Sequence, residues 1–210
     1  MVRPSNTLER RQQIAAALLK VMAERGYDGA SISAIASAAA LAPGLIHYHF
    51  KNKQEILLEA IQQLVDRFRA RFEDFSGNAT TPEARLRAFI DARLAKGKGA
   101  ETAAVAAWVV IGAEAVRQME VKMAYQAALA AQQSLLAELL RDYADAALTE
   151  DELQHLTAVL LATMEGIFQL SVSAESLMPQ DYAAKTVMEM VASHVAAARK
   201  AKSSLPKAYT

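Results

Sequence analysis

The chain has no cysteine, which excludes disulfides, thiol redox chemistry and cysteine-based metal grids and suits a reducing compartment. It has little glycine or proline for 210 residues, and no Gly-rich phosphate loop, strand pattern or internal repeat. Its four histidines (His47, His49, His155, His194) form no HExxH or comparable ligand spacing, so no metal is expected. No nucleophile, base and orienting group stand at a catalytic spacing, so an enzyme is not expected, and no cofactor is implied. No apolar stretch near the start resembles a signal peptide. The longest uncharged apolar run, Thr102 to Ala113, is too short to span a bilayer and reads as a buried helix. A cytoplasmic protein without a membrane partner is the expectation. Net charge is also lacking, with 23 basic and 23 acidic residues.

What is present is apolar and helical. Apolar residues make up 53%, enough to bury a core in one larger domain or two small ones. Alanine is abundant, and alanine loses no side-chain entropy in a helix. The charge is unevenly placed. Residues 1–53 carry Arg3, Arg10, Arg11, Lys20, Arg25, Lys51 and Lys53 against Glu9, Glu24 and Asp28, a surplus of +4. A basic head on a neutral chain suits a polyanion, although a solvated surface has the same composition. The end is basic too, through Arg199, Lys200, Lys202 and Lys207.

Periodicity predicts about nine helices. The first runs from Thr7 to Arg25 and is stopped by Gly26. A short second helix, from Ile32 to about Ala39, is capped by Ser31. After a turn at 40–42, Pro43 opens a third short helix that ends near His49. Asn52 and Glu55 stand at capping-box spacing before a long fourth helix. Thr81 and Pro82 open a fifth, expected to end near KGKG at 96–99. A buried helix and a longer amphipathic one follow, separated around 117–120. Thr149 and Glu152 form a second capping box, and Pro179 precedes the last helix.

Two short helices joined by a tight turn, with polar and aromatic residues on the second, make a helix-turn-helix. An α-helix fits the major groove and carries side chains to base edges and phosphates. The stretch SISAIASAAALAPGLIHYHFKNKQEIL (31–57) resembles the amino-terminal signature of the TetR family of transcriptional regulators. Ile35, Ala36, Ala39, Gly44, Ile46, Phe50, Lys53 and Ile56 hold their places, and the first helix and the Gly26-Tyr27 turn also match. The WVVIGAEAVRQMEV region resembles the BetI-like branch.

The resemblance implies an all-α fold with two domains. Residues 1–53 would be the helix-turn-helix domain, including the first turn of the linking helix. Residues 54–210 would be a helical domain for ligand binding and dimerisation. The implied DNA contacts are Ser31 and Ser33 on phosphate, Pro43, Gly44 and Leu45 at the leading end of the recognition helix, His47, Tyr48 and His49 along its exposed side, and Lys53 as a phosphate clamp. Ile46 and Phe50 should face the core. Ala40 replaces a usual glycine and must accept a less favourable backbone. Ala42 replaces a capping serine, and Pro43 a lysine. Affinity is therefore expected to lean on an arm bearing Arg3, Arg10 and Arg11.

The remaining chain is expected to supply a homodimer seam from Leu153, Leu156, Leu160, Val187, Val191 and Val195. It is also expected to supply a small-molecule pocket from Phe89, Trp108, Ile111, Met119, Tyr125, Met164, Phe168 and Gln169. At helical spacing, such residues also serve as plain core. Glu114 and Glu165 are the acids that would face a cationic ligand. The functional expectation is a repressor that binds a near-palindromic double-stranded operator as a homodimer and is released by an inducer. The competing reading is a helical ligand-binding or scaffold protein whose helix-turn-helix no longer binds DNA.

Overall fold

Helix stop and start signals recur along the chain, and the helices fall between them. The computed structural model describes residues 6–94 and 102–204. Arg3, the KGKG stretch and Lys207 lie outside the described residues. Within them are nine α-helices, a single 3-10 turn (Glu175–Leu177) and no strand. The helices are α1 (Asn6–Gly29), α2 (Ile32–Ala38), α3 (Pro43–His49), α4 (Lys53–Ser76), α5 (Pro82–Leu94), α6 (Thr102–Ala115), α7 (Met119–Ala144), α8 (Glu150–Ser173) and α9 (Ala183–Ser203).

The caps explain the boundaries. Gly26 interrupts α1 at φ 72°. A β-carbon there would meet nothing within 4 Å, so the dihedral, not crowding, calls for glycine. The Ser31 hydroxyl accepts from the Ala34 amide, Asn52 from Glu55, and Thr81 from Ala84. Each satisfies an otherwise orphaned helix amide. Thr149 and Glu152 make a reciprocal capping box, which holds the exposed Glu152 carboxyl below its ordinary range. The basic end has structural work. Arg199 donates to the Tyr143 carbonyl and Lys202 to that of Ala146, at the end of α7 where Asp145 and Ala146 turn left-handed.

By packing, the chain forms two units, Met1–Arg69 with Glu101–Ala130, and Ala70–Ala100 with Ala131–Thr210. The first is centred on Ile14, Leu18 and Met22 of α1. Ile35 of α2, Ile46 of α3, Phe50, Ile56 and Leu57 of α4, and Ile111 of α6 join them, all at 2% exposure or less. The second buries Leu86, Phe89 and Ile90 of α5 along with Leu140 of α7, Met164 of α8, and Val191 and Val195 of α9. Each such side chain contributes roughly 1.5–3 kcal/mol relative to exposure.

The turn between α2 and α3 is a Schellman motif. The Leu41 amide donates to the Ala36 carbonyl and the Ala40 amide to that of Ser37, and the left-handed residue between them is Ala40, at φ 54°. An alanine there strains against its own carbonyl. Ala40→Gly is therefore expected to stabilise the protein by about 0.5–1 kcal/mol, the strain relief exceeding the entropy glycine loses on folding. Urea unfolding measures it, and a lower midpoint would contradict the strain.

Candidate nucleic-acid interface

The sequence places small and polar residues on one side of α3 and apolar ones on the other, and packing separates them. Ile46 is fully buried and Phe50 nearly so, which seats α3 against its unit. Pro43, Gly44, His47 and Tyr48 face outward and Leu45 is half-buried. Tyr48 is 78% exposed, a high value for an aromatic ring whose carbon surface, unlike its hydroxyl, gains nothing from water. Its ring meets the half-buried His49 edge-on at 5.0 Å. No β-carbon at Gly44 would touch anything within 4 Å, so that position is open to an approaching surface. Ser31 and Ser33 are both exposed, their hydroxyl oxygens 3.0 Å apart. Ser31 is also the α2 cap, so its hydroxyl already serves the helix.

Two of the cationic groups are placed differently from expectation. Arg11, assigned to a DNA-binding arm, is turned inward and corrected to a structural contact. Its guanidinium donates to the His49 carbonyl at 2.7 Å and to Glu59 at 3.0 and 3.2 Å. It lies 4.1 Å over the Phe50 ring and 3.5 Å from Glu55. Glu55 in turn accepts from the Lys51 amide at 2.8 Å. That hydrogen bond, with Arg11 beside it, draws the Glu55 carboxyl below its ordinary range. The Lys53 ammonium donates to the Tyr27 carbonyl at 2.9 Å and sits 4.0 Å over its ring, so the expected phosphate clamp already holds a turn of its own unit. Burial raises the Tyr27 hydroxyl, and Glu114 adds to the effect. Arg10 is hydrogen-bonded to Gln13 on the exposed side of α1.

The other expected sites separate by unit. In the first, the Trp108 and Tyr125 rings lie 4.7 Å apart, and Ile111 is buried. Tyr125 crosses Gly112 so closely that a β-carbon would lie 3.1 Å from its hydroxyl. Glu114 is buried and accepts from the Gln118 amide. Met119, assigned to a pocket, is 67% exposed instead, because it opens α7 just after the α6–α7 turn. In the second unit, Phe89 and Met164 are fully buried, Phe168 stacks under Arg93, and Gln169 is exposed rather than lining a cavity. Glu165 pairs with the buried Arg93 at 2.5 Å, which removes it as a lone acid for a cation. An open groove of about 470 Å³ in this unit, lined by Phe75, Asn78, Thr81, Arg87 and Asp91 among others, includes none of the expected pocket residues. Burial raises the Asp91 carboxyl, with Arg87 and Arg71 opposing. Its lining comes from the end of α4, a loop and α5, which share no sequence periodicity.

The expected dimer seam requires correction. Leu153, Leu160, Val187, Val191 and Val195 are all 4% exposed or less. They already pack inside their own chain, and only Leu156 is half-exposed. The apolar residues that α8 and α9 leave outside are Val159, Leu170, Val172 and Met190. Burial periodicity marks a buried stripe, and it does not tell which molecule covers it.

Comparison with known proteins bears on the family and the fold. The family model of the bacterial regulatory proteins of the tetR family matches residues 14–60. The model of the carboxy-terminal domain of BetI-type transcriptional repressors matches residues 82–198. The HTH-type transcriptional regulator BetI of Rhizobium meliloti (strain 1021) is 31% identical over 113 residues, 54% of this chain and 55% of that protein. The chain thus aligns with about half the length of that curated relative. A transcriptional regulator from Rhodococcus sp. Rha1 superposes with a TM-score of 0.76 at 23% identity, over 90% of this chain and 97% of the other. A chain from Saccharomonospora viridis, solved in complex with choline, superposes with a TM-score of 0.72 at 20% identity, over 90% and 96%.

Proposed function

Because this chain belongs to the TetR family of bacterial regulators, with a BetI-type carboxy-terminal domain, it is a DNA-binding transcriptional regulator, and we propose that it is a repressor acting as a homodimer on a near-palindromic operator and released by a small molecule. One observation carries the DNA reading. The outer side of α3 offers Gly44, His47 and a Tyr48 ring 78% in solvent, while Ile46 and Phe50 anchor its inner side. Tyr48, Ser33 and the backbone at Gly44 would meet phosphates, and Leu45 and His47 base edges. His49, half-buried, and Lys53, engaged with Tyr27, would play smaller parts.

A homodimer is favoured by α8. By length and composition this helix is apolar enough to cross a membrane, yet only 17% of its most apolar stretch is buried. Contiguous uncovered apolar residues of this kind suit an interaction site. Val159, Ala162, Gly166 and Leu170 share its outward side, and Gly166 leaves room for close approach. With Met190 of α9, they form the seam of this proposal. A two-fold dimer would place two recognition helices about 34–36 Å apart or at a related spacing. A ligand held by the helices after α4 would shift α4 and change that spacing, with a coupling of about 1–3 kcal/mol. The Trp108 and Tyr125 rings, 4.7 Å apart and tilted by 40°, and the buried Glu114 carboxylate suit a small organic cation, so choline is the first compound to test.

Selection of duplexes from a random pool by the purified protein tests the reading. A two-fold symmetric sequence should emerge, and choline should weaken its binding. Enrichment of nothing would favour a ligand-binding protein that has lost DNA. On the selected duplex, Tyr48→Ala is expected to weaken binding to selected and random DNA alike. The slope of log affinity against log salt should fall by roughly 0.9 for each phosphate that the variant no longer meets. A weakening confined to the selected duplex would make Tyr48 a base reader instead.

A further inference from the structure

We infer that Arg11 is a positioning residue that fixes the recognition helix to the linking helix, and that it does so without touching DNA. The inference rests on the DNA-binding reading of α3. Partners from three parts of the unit converge on this side chain. It donates to the His49 carbonyl, one of the last carbonyls of α3, where a cation also complements the helix dipole. It makes two hydrogen bonds to Glu59, one turn beyond Glu55 on α4, and lies within ion-pair distance of Glu55 itself. Its planar face covers Phe50, the residue joining α3 to the turn before α4. A guanidinium, with five donors in a rigid planar fork and a face free for a ring, can serve a carbonyl, a carboxylate and a ring at once. Its exposure is only 26%, with Glu59 at 22%, so solvent screens the pair incompletely.

The consequence is mechanical. With Arg11 in place, the end of α3 and the second turn of α4 are tied through one rigid group, and a displacement of α4 carries α3 with it. Without it, α3 keeps its Ile46 anchor but loses its registration to α4. A neutral amide in place of the Glu59 carboxylate, or a flexible ammonium in place of the guanidinium, would leave part of the tie.

The experiment uses the full chain and three variants: Arg11→Met, Arg11→Lys and Glu59→Ala. Glu59→Ala is the decisive one, because it removes the partner and leaves the charge. In amide exchange without DNA, peptides covering α3 and the first turns of α4 should exchange about tenfold faster in Arg11→Met and Glu59→Ala, as losing a charge-assisted hydrogen bond would allow. Peptides of α8 and α9 should be unchanged, and Arg11→Lys should lie between. On the duplex selected by the wild type and a scrambled duplex of the same composition, both variants should lose about tenfold or more of the ratio between the two. The inference is overturned if exchange in α3 is unchanged, if exchange rises equally throughout the chain, or if Glu59→Ala tightens both duplexes by freeing a phosphate-binding arginine. Were the wild type to select no duplex, the repressor reading would fail, while the exchange result would still decide the role of Arg11.

Discussion

The Gly44→Glu protein is expected to bind its selected duplex at least about a hundredfold more weakly than the wild type, since like charges brought together at an interface cost several kcal/mol, and to melt no lower. The two effects have separate causes. Gly44 stands in the first turn of α3, after Pro43, and a side chain there meets no atom of the protein. Replacing a helical glycine recovers roughly 0.5–1 kcal/mol, and an acid near a helix start adds about 0.3–1 kcal/mol through the dipole. The fold therefore gains slightly. DNA binding suffers, because the carboxylate would enter the space that the duplex backbone needs. Thermal melting and a binding titration at fixed salt read the two quantities on one preparation. Unchanged affinity would mean that this end of α3 does not meet the duplex, and the proposed orientation of the recognition helix would fall with it.

Glu165→Ala is expected to destabilise the protein by about 3 kcal/mol. Its partner Arg93 has a side chain only 3% exposed, and it also lies 4.8 Å over Phe168. Taking the carboxylate away removes a charged partner from a desolvated guanidinium, a loss that rearrangement or water must compensate. The pair itself need not be favourable, since desolvating both ions costs much of what their attraction returns. The double substitution Arg93→Met with Glu165→Leu should accordingly lie within about 1 kcal/mol of the wild type, or above it. Urea unfolding of the two single variants and the double one measures the cycle. Additive losses would contradict the account.

The elements that could be read from the sequence are those with local signals. Ser31, Asn52, Thr81 and Thr149 each cap the helix they were expected to open; Gly26 has the expected positive φ, but it kinks the first helix, which resumes and runs to Gly29, instead of ending it. A cap uses atoms three residues away, so the sequence window contains the whole interaction. The strain at Ala40 was legible for the same reason. The inner side of α3 was legible through Ile46 and Phe50, whose spacing puts both on one face. Arg11 was not. Its partners lie 38 and 48 residues away, and nothing local separates an arginine that meets phosphate from one that meets Glu59. Leu153, Leu160 and Val191 failed differently. Their periodicity marks burial correctly, but the covering helices belong to the same chain.

The amino acids alone determined that this chain is helical, where most helices begin, and that a short recognition helix stands near its start. Those outcomes follow from backbone propensity, capping and the 3.6-residue period, which act over a turn or two. Only the tertiary structure decided which cations are available, which apolar stripe remains outside and which acid stands against an arginine. Those outcomes depend on what distant segments bring to the same place, and a charge or a methyl group is free or spent according to its neighbours in space.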